Sequence, residues 1–383
     1  MKLLIYSHTF APHVGGVETF SMSLAQGLVD PGSKENLVTV VTNTAAPGPE
    51  QSPGPSFKVT RRPTAWALWR LIGCADKVVL AGPAILPLFF ALVRRKPVIV
   101  THHGYQSICP NGLLFHLPTQ RSCPGHFAAG RYFECFKCNT RHQGAVGSTR
   151  SLLLTFLRRW LCWFANSNVA VSGHVSRRVA LPRAEVICNG VPKLPRRKVG
   201  FEASRSLVCF AYVGRLVTEK GVATLLDAAR LLKARKCRFR VKIIGDGPER
   251  EALQKLASSA SLREEVSFEG FHTGSALHEA LTGVSAIVMP SIWEEAGPLS
   301  PLEQMMQGRL VIGSDLGGLA EEIGDVGLRF DAGSSAALAD RMQAVVEDPQ
   351  SVTLLEGRAR ERALNLYSLD RMLQEYQTLL QRL

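Results

Sequence analysis

Short apolar runs alternate with segments of helical period along nearly the whole chain. Residues 3–6 form the first apolar run; a glycine-containing loop, a helical pattern at 18–28 and a second run at 37–42 follow. A Pro/Gly/Ser loop occupies 47–55. Apolar runs at 78–81 and 98–102 flank a helical pattern at 86–95, and residues 107–147, rich in Cys, His and Gly, read as irregular. A basic helical stretch at 151–164, an apolar run at 169–172, a helix from residue 175 and a run at 185–188 complete this half. The short runs predict strands and the longer periodic segments predict helices.

The best linker is PKLPRRKVGF, residues 192–201. Beyond it the alternation restarts. Strands are expected at 207–213, 240–245, 266–269, 286–289 and 310–313; helices are expected at 223–234, 248–258, 275–281, 300–307, 318–323, 335–347 and 369–380. Strand–helix alternation is the pattern of a parallel sheet covered on both faces. The expected fold is α/β, with two doubly wound, Rossmann-like domains facing a cleft and ligands outside the carboxyl ends of the strands. The expected limits are 1–195 for the first domain, with a Cys-rich insertion over about 107–147, and 196–365 for the second. A final helix at 366–383 is expected to pack back on the first domain.

The strongest chemical signal is SIWEEAGPLSPLEQMMQG, residues 291–308. Glu295 falls in the loop after the strand at 286–289, and Glu303 falls on the next helix. Carboxylates accept hydrogen bonds from neighbouring sugar hydroxyls, so one could hold a hexose and the other a ribose. Two solvated glutamates near a helix start, where negative charge suits the helix dipole, would give the same pattern. In VGRLVTEKG, residues 213–221, Arg215 and Lys220 flank a turn into a helix. A guanidinium fork, an ammonium and free backbone amides make a diphosphate site; ordinary surface charge is the alternative. IIGDGPERE at 244–251 and DLGGLAE at 315–321 add glycine turns suited to a nucleotide, phosphate or sugar.

Together these motifs resemble glycosyltransferase family 4, retaining enzymes of the GT-B fold. The resemblance covers most of the second half in order and spacing. In the first half it covers HTFAPHVGGVETF (8–20), THHG (101–104), AVSGHVSRRV (170–179) and ICNGV (187–191). It implies that Arg215 and Lys220 bind the donor diphosphate, Glu303 the ribose and Glu295 the transferred sugar, with Leu299 also at the donor. It places Gly15 and Gly16 in a loop facing donor phosphate and acceptor, and a histidine of the His102/His103 pair near the reacting carbon, His103 being favoured. It also implies same-face substitution without an assigned protein nucleophile, no cofactor required for catalysis, and cations doing the work of a divalent metal. The sequence departs from the family's usual Glu-Gly-Phe-Gly-Leu at Glu295-Ala-Gly-Pro-Leu299, from its Gly-x-Pro at Gly308-Arg-Leu310, and from its Asn-Gly-Val-Asp at Pro192. None of these removes a charged group. The expected activity is transfer of a sugar from a UDP- or GDP-sugar to a glycan or lipid-linked acceptor, in cell-surface polysaccharide or lipopolysaccharide synthesis. A nucleotide-sugar epimerase or hydrolase is the alternative on the same fold.

Composition sharpens the choice of partner. The 383 residues suit two domains, and 46% hydrophobic residues are too many for a disordered chain. The net charge of +13 is uneven: residues 1–199 hold 24 Lys/Arg against 7 Asp/Glu, and residues 200–383 hold 21 against 25. The stretch RSLLLTFLRRWLCWF (150–164), with Arg158 and Arg159, and the trio Arg94, Arg95 and Lys96 fit an anionic membrane surface. A core helix with a solvated face is the alternative. A zinc-containing nucleic-acid-binding protein would also be basic, but the basic half carries no compact reader motif, so no nucleic-acid partner is expected. The most apolar run, 78–93, is 16 residues broken by Gly82, Pro83 and Pro87, short of the roughly 20 that span a bilayer. Residues 3–6 are too short for a signal-peptide core of about 7–15 residues. The expected location is cytoplasmic and peripheral, on the inner face of the membrane.

In that location the nine cysteines are expected to be reduced or metal-bound rather than paired. Cys109, Cys123, Cys135 and Cys138 lie in the irregular segment, and Cys135-x-x-Cys138 has the spacing of a metal knuckle. Some family members resemble this, with a cysteine-bearing insertion after the histidine-containing strand. A structural zinc on the four is the leading expectation, with free buried thiols and a redox or disulfide role left open. His116, His126 and His142 could substitute as ligands.

Overall fold

The apolar runs of the first half line up as one parallel sheet. The computed structural model describes residues 1–29, 37–46, 57–197 and 207–383; the loop expected at 47–55 and linker residues 198–201 lie outside them. The chain divides into two compact units, the first formed by Met1–Pro118, Cys123–Gly190 and Leu369–Leu383, the second by Thr119–Ser122 and Val191–Ser368.

In the first unit the main strands are β1 (Lys2–Ser7), β2 (Leu37–Thr42), β3 (Lys58–Arg61), β4 (Lys77–Leu80), β5 (Val98–His102), β6 (Ser167–Ala170) and β7 (Ala184–Val186). Their spatial order is β3-β2-β1-β4-β5-β6-β7, all parallel. The sheet reverses direction between β1 and β4, as in a dinucleotide-binding fold. Helix α1 (Gly16–Leu28) lies against it, with Phe20, Leu24 and Ala25 in the core. α2 (Ala65–Cys74), α3 (Ile85–Val93), α4 (Tyr132–Trp163) and α5 (Gly173–Val179) supply the other crossovers.

The last helix, α13 (Leu369–Arg382), belongs to this unit. Its Met372, Tyr376, Leu379 and Leu380 recur at helical spacing and enter the core beside Phe20 and Leu24. Tyr376 is fully buried, and its hydroxyl lies 3.1 Å from Thr101 Oγ1 at the end of β5. The Lys77 ammonium donates to the Leu380 carbonyl near the helix end.

The second unit repeats the plan. β8 (Val208–Val213), β9 (Phe239–Ile244), β10 (Val266–Gly270), β11 (Ala286–Met289), β12 (Leu310–Ser314) and β13 (Leu328–Phe330) stand in the order β10-β9-β8-β11-β12-β13, all parallel. The helices are α6 (Val222–Ala234), α7 (Arg250–Ser259), α8 (Gly274–Ala280), α9 (Leu299–Met306), α10 (Gly317–Ile323), α11 (Ser335–Glu347) and α12 (Pro349–Leu366). Strand side chains Phe210, Val241, Ile243, Val288 and Ile312 pack on Leu225, Leu232, Leu338 and Met342 from the helices. The described end of the linker is tied to this unit, because Arg197 pairs with Glu356 and donates to the Val284 carbonyl at 2.9 Å. Among the described residues no helix is long and apolar enough to cross a membrane.

Sequence periodicity missed the edge strands β3 and β13 and the helices α2 and α12, the last of 18 residues. β3 has no fully buried position, and β13 is three residues long. α2 carried a readable start signal, since Thr64 Oγ1 caps it by accepting from the Ala67 N–H at 3.2 Å. Two strands of the first unit sit earlier than expected, at Ser167–Ala170 and Ala184–Val186. The reading of 107–147 as irregular is corrected from Tyr132 onward. There α4 begins, and it continues past a non-helical Gly144 (φ 66°, ψ 176°).

Because Tyr376 fills the core of the first unit, Tyr376→Ala is expected to destabilise that unit by about 3–5 kcal/mol. Tyr376→Phe, which loses only the Thr101 contact, should cost about 1 kcal/mol. Denaturant unfolding of the two variants measures both.

Candidate functional site

In the second unit the strand order turns back between β8 and β11, so the loops leaving these two strands lie side by side. Such a switch point is where doubly wound sheets bind ligands. The loop after β8 holds Arg215 and a single 3₁₀ turn, Thr218–Lys220, ending at Gly221 with φ +67°. A β-carbon on Gly221 would stand 2.0 Å from the Pro290 carbonyl oxygen, so only glycine lets the two loops approach this closely. The Ile292 N–H then donates to the Glu219 carbonyl at 3.0 Å and locks them together.

This closeness brings Lys220 and Glu295 into contact. Lys220 Nζ lies 2.7 Å from Glu295 Oε1, and the Ser291 hydroxyl donates to the same oxygen at 2.6 Å. Glu295 is only 3% exposed. A carboxylate so far from water is stable only with a cation and a hydrogen-bond donor on it. Its backbone is fixed as well: the Gly318 N–H donates to the Glu295 carbonyl at 2.6 Å, and a β-carbon at Gly318 would stand 2.2 Å from the Ala296 oxygen. Lys220 Nζ also stands 5.6 Å from the centre of the Trp293 ring. Behind the pair lies Glu322, whose carboxyl is pushed well above the usual range by burial and then by the charge of Glu295.

Arg215 behaves differently. Its backbone is pinned, because the Tyr212 hydroxyl donates to its carbonyl at 2.7 Å. The turn at 244–251 clamps the next residue, with the Leu216 N–H donating to Asp246 O at 2.9 Å and the Glu249 N–H donating to Leu216 O at 3.1 Å. The Arg215 side chain is exposed and makes no hydrogen bond or ion pair among the described residues. Leu299 opens α9 and Glu303 follows on the same helix, its carboxyl pushed up to about 7 by burial. The second unit thus groups a buried ammonium–carboxylate pair, an exposed guanidinium held on a rigid backbone, and a carboxyl poised near neutrality. The guanidinium can take an anion without first breaking a protein contact, while the carboxylates can accept from hydroxyls.

In the first unit, His102 ends β5 and is buried. Asn168 Nδ2 donates to the Cys162 and Pro182 carbonyls at 3.0 and 2.9 Å, which turns Asn168 Oδ1 towards His102 Nε2 at 3.0 Å. His102 therefore carries its proton on Nε2, and burial lowers its pKa to about 4. His103 is half-buried and packs edge-on against Phe20, with ring centres 4.3 Å apart. Burial, then the neighbouring His102, lower its pKa to about 3. Both rings are neutral at pH 7; His102 is tied into the sheet and His103 is not. Gly15 and Gly16 start α1, with Gly15 in extended backbone (φ −172°) that any residue adopts.

The four cysteines of the expected zinc site come together in the first unit, where the Cys135 thiol is raised by burial and then by Cys109, Cys123 and Cys138. Among the described residues no group of three or more His, Cys, Asp or Glu could hold a metal ion. The Cys-x-x-Cys spacing is an i, i+3 pair on α4, where Cys135, Cys138 and Asn139 form a buried face. The thiols are used in packing. Cys109 donates to Asn111 Oδ1 at 2.9 Å, and Cys138 Sγ accepts from the Leu117 N–H at 3.4 Å. Cys123 is buried with them, and burial pushes the Cys109 and Cys135 thiols up to about 11 and about 12. None of the four is joined in a disulfide.

Residues that sequence reasoning missed are Ser291, Trp293 and Glu322 around Glu295, and Asn168 beside His102. The first two lay within the 291–308 motif and Glu322 one position past DLGGLAE; Asn168 carried no local signal.

Solved structures superpose on the full length of the chain. The Anabaena protein HepE in complex with UDP and glucose matches at TM-score 0.72 and 16% identity, covering 100% of both chains. Sucrose-phosphate synthase from Thermosynechococcus elongatus matches at TM-score 0.73 and 18% identity, covering 100% of this chain and 98% of that one. The fold is that of the GT-B glycosyltransferases. In sequence, residues 200–362 match the family described as "Glycosyl transferases group 1". This GT-B chain is also 34% identical to the 2-deoxystreptamine glucosyltransferase of Streptomyces kanamyceticus over 39% of its length and 38% of that enzyme's. The matched region spans under two fifths of the length of such curated relatives.

Removing the cation from a buried carboxylate is costly, so Lys220→Met should destabilise the second unit by about 3–5 kcal/mol. The double variant Lys220→Met/Glu295→Gln should recover part of that loss in urea unfolding. Glu303 binds its proton more tightly in the folded than in the unfolded chain. Its burial therefore costs stability progressively as pH rises from about 4.5 towards about 7. The gain in melting temperature from Glu303→Gln should grow from about pH 5 to about pH 8.

Proposed function

We propose that the protein is a retaining glycosyltransferase moving a sugar from a UDP- or GDP-sugar to a hydroxyl of a glycan or lipid-linked acceptor, in cell-surface polysaccharide or lipopolysaccharide synthesis. The observation that carries this reading is the meeting of Arg215, Lys220 and Glu295 at the switch point of the second unit, with Glu303 on the following helix. The group 1 match over residues 200–362 and the UDP and glucose bound by HepE support it.

In this reading the bond between the anomeric carbon and the diphosphate oxygen breaks, and the diphosphate keeps the electron pair. Arg215 meets the growing charge with its free guanidinium. Lys220 shares its ammonium between Glu295 and the diphosphate, so donor binding draws on a charge already desolvated and aimed. Glu295 accepts from hydroxyls of the transferred sugar, and Glu303, as carboxylate, accepts from the ribose. The acceptor oxygen bonds to the same face of the sugar, and its proton leaves with the diphosphate. In this reading Gly15 and Gly16 face donor phosphate and acceptor, and His103 of the His102/His103 pair serves the acceptor as a neutral imidazole that hydrogen-bonds without adding charge.

A thermal-shift panel of UDP-, GDP- and ADP-sugars tests the donor, because a ligand bound only by the folded state raises its melting temperature. One UDP- or GDP-sugar should raise it, while no shift with any would overturn the reading. Arg215→Ala is the cleanest site variant, since the side chain makes no hydrogen bond or ion pair among the described residues. It should unfold as wild type does, yet lose donor-induced stabilisation and at least about a hundredfold in transfer rate, the scale of one lost charge-stabilising donor.

A further inference from the structure

Beyond Gly144, helix α4 is turned inside out relative to an ordinary surface helix. Leu153, Phe156, Leu157, Trp160, Trp163 and Phe164 are all exposed, Leu153 and Trp160 by 63% and 58%. At 3.6 residues per turn they share one arc of about 120°. Arg158 and Arg159, which the sequence offers to an anionic surface, point elsewhere. Arg159 donates to the Val179 and Ala180 carbonyls at 2.8 and 3.3 Å, and burial depresses the Arg158 guanidinium. α3 packs against α4 and also exposes an apolar stripe, Leu86, Phe89 and Val93. A surface helix normally sends its apolar stripe to the core, and contiguous exposed apolar surface marks a partner or a membrane.

The surrounding charge selects the partner. Between Asp76 and Glu185 the chain carries one carboxylate, Glu134, against 14 Lys and Arg. Arg94, Arg95 and Lys96 follow α3 directly, and Arg150 is exposed on α4 one turn before Leu153. Two tryptophans on an apolar face ringed by cations match the chemistry of a headgroup boundary over acyl chains. We infer that the exposed face of α4, with the stripe of α3, docks on an anionic lipid bilayer by inserting its apolar side chains, while the surrounding cations meet the headgroups. This surface stands independently of the sugar-transfer reading.

Co-sedimentation of the full chain with vesicles, in the absence of any sugar nucleotide, tests it. The protein should pellet with phosphatidylcholine vesicles containing about 30 mol% phosphatidylglycerol, and less with phosphatidylcholine alone. Leu153→Glu/Trp160→Glu should weaken binding at least about tenfold with an unchanged circular dichroism spectrum; Trp160→Ser serves if the double variant misfolds, and should weaken binding in the same direction. Failure of the wild-type protein to pellet with anionic vesicles would overturn the inference, as would variants that pellet equally well. So would a wild-type dimer in lipid-free ultracentrifugation that the variants dissolve, with no vesicle binding, since the face would then belong to a second copy.

Discussion

A carboxylate that is 3% exposed needs its cation, and the second unit is organised around that demand. Glu295 accepts from Lys220 and Ser291, and no backbone less permissive than glycine at 221 would let the loop after β8 close on the strand end at Pro290. Gly318 meets the opposite side of the same loop. The parallel pairing of β8 with β11 is what makes such a contact possible, because it sets two carboxyl-terminal loops next to each other. Fold, glycines and ion pair therefore form one constraint rather than three features.

That constraint divides labour between the two cations. Lys220 is already desolvated and paired, so its charge is committed before any ligand arrives. Arg215 is exposed on a backbone held by Tyr212 and the 244–251 turn, so it keeps both freedom and aim. The difference is invisible in the motif, where both read simply as positive residues flanking a turn. Burial also separates the two glutamates: Glu295 has an ammonium beside it, whereas Glu303 has burial acting on it alone, and its carboxyl is displaced to about 7. Identical residue types eight positions apart thus sit in different surroundings, a difference set by neighbours rather than spacing.

Much of the fold was legible because parallel strands buried on both faces read as continuous apolar runs, as Val78–Leu80 and Ala286–Met289 do. Edge strands such as Lys58–Arg61 lack that signal, since half-exposed positions need no apolar residue. The charged groups of the second unit were legible as a motif, but the pairing of Lys220 with Glu295 was not, because it depends on two loops 75 residues apart. The spacing of Cys135 and Cys138 serves a metal knuckle and a helix face equally well, and α4 sets the pair one turn apart on its buried face.

The basic stretch at 150–164 carries the same lesson to the surface. From sequence, the stretch with Arg158 and Arg159 fits an anionic membrane surface, with a core helix carrying a solvated face as the alternative. The helix is rotated so that Arg159 satisfies the Val179 and Ala180 carbonyls at the end of α5, and the small residues Ser148 and Thr155 are buried in the place large side chains would take. The bulky side chains are left outward, and composition alone, which counts the arginines but not their direction, does not show which side chains form the exposed face.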